Sequence, residues 1–225
     1  MDDTSNIRRD FLNRAKAIAV EHFNSSAHEY DTVFHSIGPI HAACLEEFLS
    51  RLGSSPAILD AACGTGRFFD ALSSRAGRLV GIDQSVAMLG QALAKRPGIA
   101  TRHLSLQELG DVAEFQGAFD GLVCIDAMEW VLRDDWPIVL AGFNSVLTSG
   151  GYAYLTIEIP GAHERRELSQ PPAEGAVPGE IRVHDWYNHF PSANAVARWV
   201  VDADFDLEYQ MEGEYYWHII LRKRS

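Results

Sequence analysis

Residues 56–67 read Pro-Ala-Ile-Leu-Asp-Ala-Ala-Cys-Gly-Thr-Gly-Arg. The apolar residues at its start predict a short buried strand over 56–60, which breaks at once into a turn of small residues containing Gly64 and Gly66. A helix is expected to follow over 67–76. A strand, a glycine-rich turn and a helix in this order place backbone N–H groups at a helix N-terminus beside the carboxyl end of a sheet. The stretch therefore predicts an open α/β sheet that binds a nucleotide-like ligand at this edge.

Two carboxylates are placed around this turn. Asp60 lies four residues before Gly64, and Asp83 ends the next predicted strand, 17 residues after Gly66. Asp60 suits the ammonium group of a ligand, directly or through water, and Asp83 can accept hydrogen bonds from two ribose hydroxyls. A dinucleotide site would have a third glycine where Phe69 stands. That departure disfavours a nicotinamide-dependent oxidoreductase on a Rossmann fold, which stays as an alternative.

Strands and helices alternate through the middle of the chain. Helices separate the predicted strands that follow the turn, at 78–83, 100–104, 119–126 and 152–158. Ser85 is a predicted helix N-cap, and Gly150-Gly151 is expected to end the helix that begins near Asp134. Alternation of this kind is typical of βαβ units in a mostly parallel sheet, and it predicts a doubly wound, Rossmann-like α/β fold.

The two ends of the chain are expected to complete a single domain over 1–225 with a seven-stranded sheet. Helices over 5–23 and 38–52 form an N-terminal cover, and 53–158 is the cofactor-binding core. Residues 159–191 hold five of the nine prolines and interrupt the alternation, so they are predicted to be an inserted substrate lid after the fifth strand, without strands of its own. A helix capped by Ser192 and an antiparallel hairpin of 205–211 and 215–223 then close the sheet over 192–225.

The turn and the strand after it resemble the cofactor-binding segment of class I S-adenosylmethionine-dependent methyltransferases. The matching stretches are Ile58-Leu-Asp-Ala-Ala-Cys-Gly-Thr-Gly-Arg67 and Val80-Gly-Ile-Asp83. The resemblance implies methyl transfer from S-adenosylmethionine, with S-adenosylhomocysteine as product. The residues that it implies in cofactor binding are Tyr30, Asp60, Ala62, Gly64, Gly66, Asp83, Gln84, Met88, Ser105, Leu106, Asp126 and Ala127. Two positions depart from the family pattern, since Ala62 replaces a common glycine and Ser105 a common aspartate.

The amino-acid composition limits the kinds of partner that the protein is expected to bind. Lysine and arginine total 19 against 31 acidic residues, a formal charge of −12, which repels nucleic acid and anionic membrane surfaces. The stretch after the fourth strand, Asp126-Ala-Met-Glu129, also lacks the Asn/Asp-Pro-Pro-Tyr/Phe signature of methyltransferases that modify exocyclic amines of nucleic acids. Three cysteines, no signal sequence and no apolar span predict a cytoplasmic protein without membrane or nucleic-acid partners, as a monomer or homodimer.

Methyl transfer chiefly requires donor and acceptor to be positioned and shielded from water. A hydroxyl acceptor also benefits from a general base with a pKa near neutrality. His184 and His189, in the predicted lid, are the candidate bases, and Glu158 is expected to orient either the base or the substrate. The sequence offers no further ligand pair for these histidines, so no metal site is predicted.

The sequence therefore predicts methylation of an oxygen or nitrogen atom of a small molecule, as in the tailoring of natural products. A non-catalytic subunit that binds S-adenosylmethionine is a further alternative.

Overall fold

A computed structural model describes residues 3–34, 36–183 and 186–225, and its strands and helices alternate from Ala57 to Glu158. The helices are α1 (Asp3–Ser26), α2 (Tyr30–Val33), α3 (Pro39–Ser50), α4 (Phe69–Ser73), α5 (Val86–Lys95), α6 (Trp136–Val146), α7 (Ala162–Leu168) and α8 (Ala193–Asp202). The strands are β1 (Ala57–Ala61), β2 (Arg78–Asp83), β3 (Ala100–His103), β4 (Phe119–Cys124), β5 (Leu147–Glu158), β6 (Glu180–Val183), β7 (Trp186–His189), β8 (Phe205–Glu212) and β9 (Tyr216–Lys223).

The main sheet has seven strands in the order β3-β2-β1-β4-β5-β9-β8. The first five are parallel, while β9 runs antiparallel to β5 and β8 antiparallel to β9. The predicted fold class and the closing hairpin are thus confirmed. The direction of strand succession reverses between β1 and β4, and ligands of open α/β sheets bind at the carboxyl ends of the strands at such a point.

Both faces of the sheet are covered, which explains why its central strands are apolar on both sides. On one face, Phe48 of α3 belongs to a buried cluster with Ile58 and Tyr154. On the other, Phe143 of α6 lies in a larger buried cluster with Leu59. The helix N-caps predicted from the sequence are confirmed: the Ser85 and Ser192 hydroxyls accept hydrogen bonds from the N–H groups of residues 88 and 195.

The glycine pair at 150–151 does not end a helix, and that prediction is wrong. Helix α6 ends at Val146, and β5 begins at once with Leu147, which pairs with Phe119. The register between β4 and β5 then shifts, and Gly150, at φ +72°, lies in that irregular part of β5. A positive φ of this kind is easily adopted only by glycine, so the pair serves a bulge inside the strand.

The insert after β5 is more regular than its prolines suggest. It contains the short helix α7 and a two-stranded antiparallel sheet in which β6 pairs with β7. The expectation of a lid without strands is therefore wrong. Helix α1 packs against β7, so the N-terminal cover and the insert lie together. Within the described part of the chain, none of the helices combines the length and apolarity needed to cross a bilayer.

Candidate functional site

The turn after β1 has an unusual backbone conformation, with positive φ at Ala62 (64°), Gly64 (55°) and Gly66 (76°). Glycine accepts this region without penalty, whereas an alanine pays roughly 1–2 kcal/mol for it. Ala62 is therefore a strained residue of this turn. A Cβ built on Gly64 would meet no atom within 4 Å, so the backbone there faces open space.

The carboxylate of Asp83 holds the turn against the next strand. Its Oδ2 accepts a hydrogen bond from the Gly64 N–H at 2.8 Å, and its Oδ1 accepts one from the Ser85 N–H at 2.8 Å. The side chain is 8% exposed, and burial raises its pKa although these two N–H groups stabilise the charged form. A carboxylate has about four acceptor positions, so two remain for the hydroxyls of a ribose.

Asp60 is the second buried acid, and its Oδ2 has no hydrogen-bond partner. Burial raises its pKa to about 7, the charge of Asp83 adds to this effect, and Arg67 opposes it. A buried acceptor without a partner is costly unless a ligand or water supplies the missing donor. An ammonium group fits that requirement.

A cavity lies beside the turn. Of the residues that the sequence predicts to bind the cofactor, nine line it: Tyr30, Ala62, Gly64, Asp83, Gln84, Met88, Leu106, Asp126 and Ala127. Asp60, Gly66 and Ser105 do not line it. A Cβ on Gly66 would lie 2.6 Å from the Phe69 ring, so this glycine makes room for packing. The Ser105 hydroxyl instead donates to Oε2 of Glu108 at 2.6 Å, within a capping box.

Asp126 anchors the opposite wall of this cavity. It follows β4 at φ +53°, and its carboxylate accepts hydrogen bonds from His41 at 2.9 Å and from Arg67. Burial opposes the charged form, but these two partners hold the pKa of Asp126 below its usual value. Its N–H donates to the Thr156 hydroxyl at 2.7 Å. Arg67, His41 and Thr156 were not among the predicted site residues; only Arg67, within the motif itself, carried a sequence signal.

The N-terminal segment covers the cavity beside the turn. Asn24 Oδ1 accepts a hydrogen bond from the Ser85 hydroxyl at 2.7 Å. Asp31 accepts hydrogen bonds from the Thr65 hydroxyl and from Lys95, both at 2.6 Å. Burial raises the pKa of Tyr30 to about 12, so its phenol is neutral and available as a hydrogen-bond donor. The cover is thus tied by polar contacts to the turn and to α5.

A second, partly open cavity adjoins the first. The two share the lining residues Phe23, Tyr30, Asp126 and Trp130. Glu158, one of the predicted catalytic residues, lines the second cavity and accepts a hydrogen bond from Asn188 at 3.0 Å. Burial raises the pKa of Glu158 to about 7, with Glu164 and Asp126 adding to the effect. A carboxyl with this pKa can take up a proton near neutrality.

The lid histidines have different positions. His189 is 2% exposed, lines neither cavity, and packs its ring against Trp136 and Trp199 at centroid distances of 6.0 and 6.1 Å. Burial lowers its pKa to about 4. His189 was expected to act as a base at the reacting atoms. The structure corrects this expectation, because two indole rings pack against its imidazole. His184 lies outside the described residues.

The site residues fit an adenosine-type ligand that carries an amino-acid end. Asp83 has free acceptor positions, Asp60 has an oxygen without a partner, and the Gly64 backbone faces open space. The turn over residues 61–66 itself contains no lysine, which is consistent with a ligand that places no phosphate there.

Comparison with known proteins gives sequence relatives over the same region. Residues 58–151 match the model of a family described as a methyltransferase domain. A ubiquinone biosynthesis O-methyltransferase of Marinobacter nauticus is 27% identical over 128 residues, 54% of this chain and 51% of that protein. An 18S rRNA (guanine-N(7))-methyltransferase of Bos taurus is 34% identical over 121 residues, 49% of this chain and 42% of that protein. The chain thus spans about half the length of these curated relatives.

A solved structure has a similar fold over nearly the whole chain. It is the 1,6-didemethyltoxoflavin-N1-methyltransferase of Burkholderia thailandensis, with bound 1,6-didemethyltoxoflavin and S-adenosylhomocysteine. The TM-score is 0.72 at 17% identity, and the match covers 93% of this chain and 89% of that one.

Proposed function

Since residues 58–151 match the model of a methyltransferase domain family and the chain has the fold of class I S-adenosylmethionine-dependent methyltransferases, we propose that this protein methylates an oxygen or nitrogen atom of a small molecule. The family's cofactor is S-adenosylmethionine, which leaves as S-adenosylhomocysteine. The observation that carries the proposal is the pair of adjoining cavities, one beside the glycine-rich turn and the other beside Glu158.

In the first cavity, this chain's residues bind and orient the cofactor. Asp83 accepts from the ribose hydroxyls, and Asp60, which lies behind the cavity lining, balances the ammonium through water. The adenosine lies among Gln84, Met88 and the backbone of Leu106. When bound, S-adenosylmethionine supplies an electrophilic methyl carbon on a positively charged sulfur.

In the second cavity, the residues place the acceptor and exclude water. Tyr30 and Trp130 line both cavities and therefore stand where donor and acceptor meet. Glu158 takes the acceptor's proton when the acceptor is a hydroxyl or an ammonium, a role favoured by its pKa of about 7. His189, buried elsewhere, supports the insert rather than the reaction.

A small-molecule acceptor fits the charge of the chain better than nucleic acid does. The formal charge is −12, and no lysine or arginine among the described residues lines the second cavity. Phosphate backbones are bound by such side chains. A metabolite of the kind modified in natural-product pathways suits this partly open cavity lined by aromatic and carboxyl side chains.

The test is a mass-spectrometric screen of candidate metabolites incubated with the full chain and S-adenosylmethionine. We expect one class of small molecule to gain the mass of one CH₂. The matched control is Gly64→Val, whose side chain would enter the open space beside the turn and prevent cofactor binding. A methylated product that forms equally well with this variant would contradict the cofactor site at the turn. Cofactor binding without turnover on any acceptor would contradict the proposal and favour a binding subunit.

A further inference from the structure

The second cavity is rich in carboxyl groups, and most of them have no lysine or arginine partner. Four carboxylates line it: Glu29, Asp126, Glu129 and Glu158. Asp126 is paired with Arg67 and His41. Glu158 has only the neutral amide of Asn188 as a donor. Among the described residues, the lining contains no lysine or arginine, so a positively charged ligand would meet carboxyl groups without a competing cation there.

Glu129 is the residue that points to a ligand. Glu129 lines the second cavity although the residue is only 5% exposed, and its buried Oε2 has no hydrogen-bond partner. Burial, together with the nearby Glu158 and Asp126, raises its pKa well above the ordinary value. A carboxyl in this setting is costly without a donor or a positive charge beside it. A cationic ligand would remove that cost and restore its charged form.

The rest of the lining is aromatic. His22 stacks on Trp130 at 5.1 Å between ring centroids, and Phe23 meets Trp130 edge to face at 4.9 Å. Tyr30 and Phe34 are 4.8 Å apart, and Trp186, 40% exposed, stands at the insert side. Aromatic faces attract organic cations and bind flat rings. Carboxylates among aromatic rings therefore suit a ring-bearing amine.

Methyl transfer changes the charge of a nitrogen acceptor differently from that of an oxygen acceptor. A neutral amine that gains a methyl group becomes positively charged, and carboxylates around it stabilise that charge as it develops. An acceptor that reacts as an alkoxide, phenolate or carboxylate would be repelled by the same carboxylates. The lining of this cavity thus favours a neutral amine as the methyl acceptor.

We propose that the methyl acceptor is a basic amine on an aromatic scaffold, held by Glu129 and Glu158 in the second cavity and methylated on nitrogen. This inference rests on the proposed methyltransferase function. The ammonium gives one proton to the Glu158 carboxylate and becomes a neutral amine. Its lone pair forms the N–C bond while the C–S bond breaks and that electron pair passes to sulfur. Positive charge moves from sulfur to nitrogen, and Glu129 faces it there.

The experiment measures binding, so that it does not depend on turnover. Three probes with one ring system and different charge are titrated into the full chain by calorimetry, with and without S-adenosylhomocysteine: tryptamine, the alcohol tryptophol, and indole-3-acetate. We expect tryptamine to bind at least tenfold more tightly than tryptophol and indole-3-acetate to bind most weakly. Glu129→Gln should weaken tryptamine about tenfold, as loss of a buried charged hydrogen bond does, and leave tryptophol unchanged. Glu158→Gln should act in the same direction.

The matched control is Glu46→Gln, an exposed glutamate that lines neither cavity. It should change none of the three affinities. Equal or tighter binding of tryptophol or indole-3-acetate, no measurable binding of tryptamine, or an unchanged preference in both cavity variants would overturn the inference. Failure of S-adenosylhomocysteine to bind is a separate result that counts against the methyltransferase function itself.

Discussion

Asp60 and Asp83 end neighbouring parallel strands, yet their carboxylates have different partners. One oxygen of Asp83 accepts from Gly64 of the turn and the other from Ser85 after β2, whereas Asp60 keeps one oxygen without a donor. This difference determines which of the two acids gains a new hydrogen-bond donor when a ligand binds. The acid already held by the backbone shapes the site, and the one without a donor gains most from an incoming ammonium.

The affinity for S-adenosylhomocysteine should therefore depend on pH through Asp60. Because its pKa is about 7 in the free protein, the carboxyl must lose a proton to pair with the ammonium below that pH. The Kd should fall about tenfold between pH 6 and pH 8 and then level off, as expected for one linked proton. Calorimetry across this range measures it. Asp60→Asn should bind more weakly with a flat profile, and Glu158→Gln should keep the slope; a sloping profile in Asp60→Asn would refute the assignment.

His189 is expected to affect stability rather than the reaction. The unfolded chain takes up a proton on this residue below pH 6.5, whereas burial keeps the folded imidazole neutral down to about 4. The free energy of unfolding should thus fall as the pH drops through that window, and it should fall less in His189→Gln. Urea unfolding at pH 7 and pH 5 measures the difference. The methyl-transfer rate should stay close to that of the wild type, and a loss of about 10²–10⁴-fold would instead identify a general base.

At the scale of elements, the N-terminal cover and the insert are joined by one arginine. Arg8 of α1 forms two hydrogen bonds with Glu180 of β6, at 2.5 and 2.9 Å, and a third with Asp134 at 3.0 Å. The Glu180 side chain is fully buried and also accepts a hydrogen bond from the Tyr187 hydroxyl. This contact explains how an insert with several prolines forms an ordered hairpin.

Replacing Arg8 with Met should destabilise the fold by about 3 kcal/mol, because it leaves a buried carboxylate without its cation. Urea denaturation gives the free energy of unfolding. The neighbouring Arg9→Met is the control, since the exposed Arg9 bonds only to Asn6 among the described side chains and should cost little. Adding Glu180→Gln to Arg8→Met should recover part of the loss. Equal stability of the two single variants would show that the contact does not hold the insert.

Local sequence patterns correctly predicted those helix ends that depend on residues close to one another in the sequence. Ser85 and Ser192 cap helices as expected, because capping depends on a residue and its next turn. The β6–β7 hairpin was missed, because its stability depends on Arg8, 172 residues away from Glu180. The turn acids were likewise predictable, while the pairing of Asp126 with His41 crosses 85 residues and left no pattern in the sequence.

Across the whole molecule, the fold places two cavities with different lining residues side by side. They lie at the point where the order of the strands in the sheet reverses direction. The first is bordered by the turn and Asp83, and the second by Glu129 and Glu158. Phe69 packs against both Gly66 and Gly81, filling the place that a dinucleotide-binding turn gives to a third glycine. The arrangement is therefore suited to S-adenosylmethionine rather than to a nicotinamide cofactor.

Calorimetric titration of S-adenosylhomocysteine and NADH into the full chain tests this central claim most directly. We predict that S-adenosylhomocysteine binds at one site per chain and that NADH does not bind. Asp83→Asn should weaken S-adenosylhomocysteine at least tenfold by loss of charged hydrogen bonds to the ribose, and Gly64→Val should abolish its binding. Tight binding of NADH, or normal affinity for S-adenosylhomocysteine in both folded variants, would contradict the account.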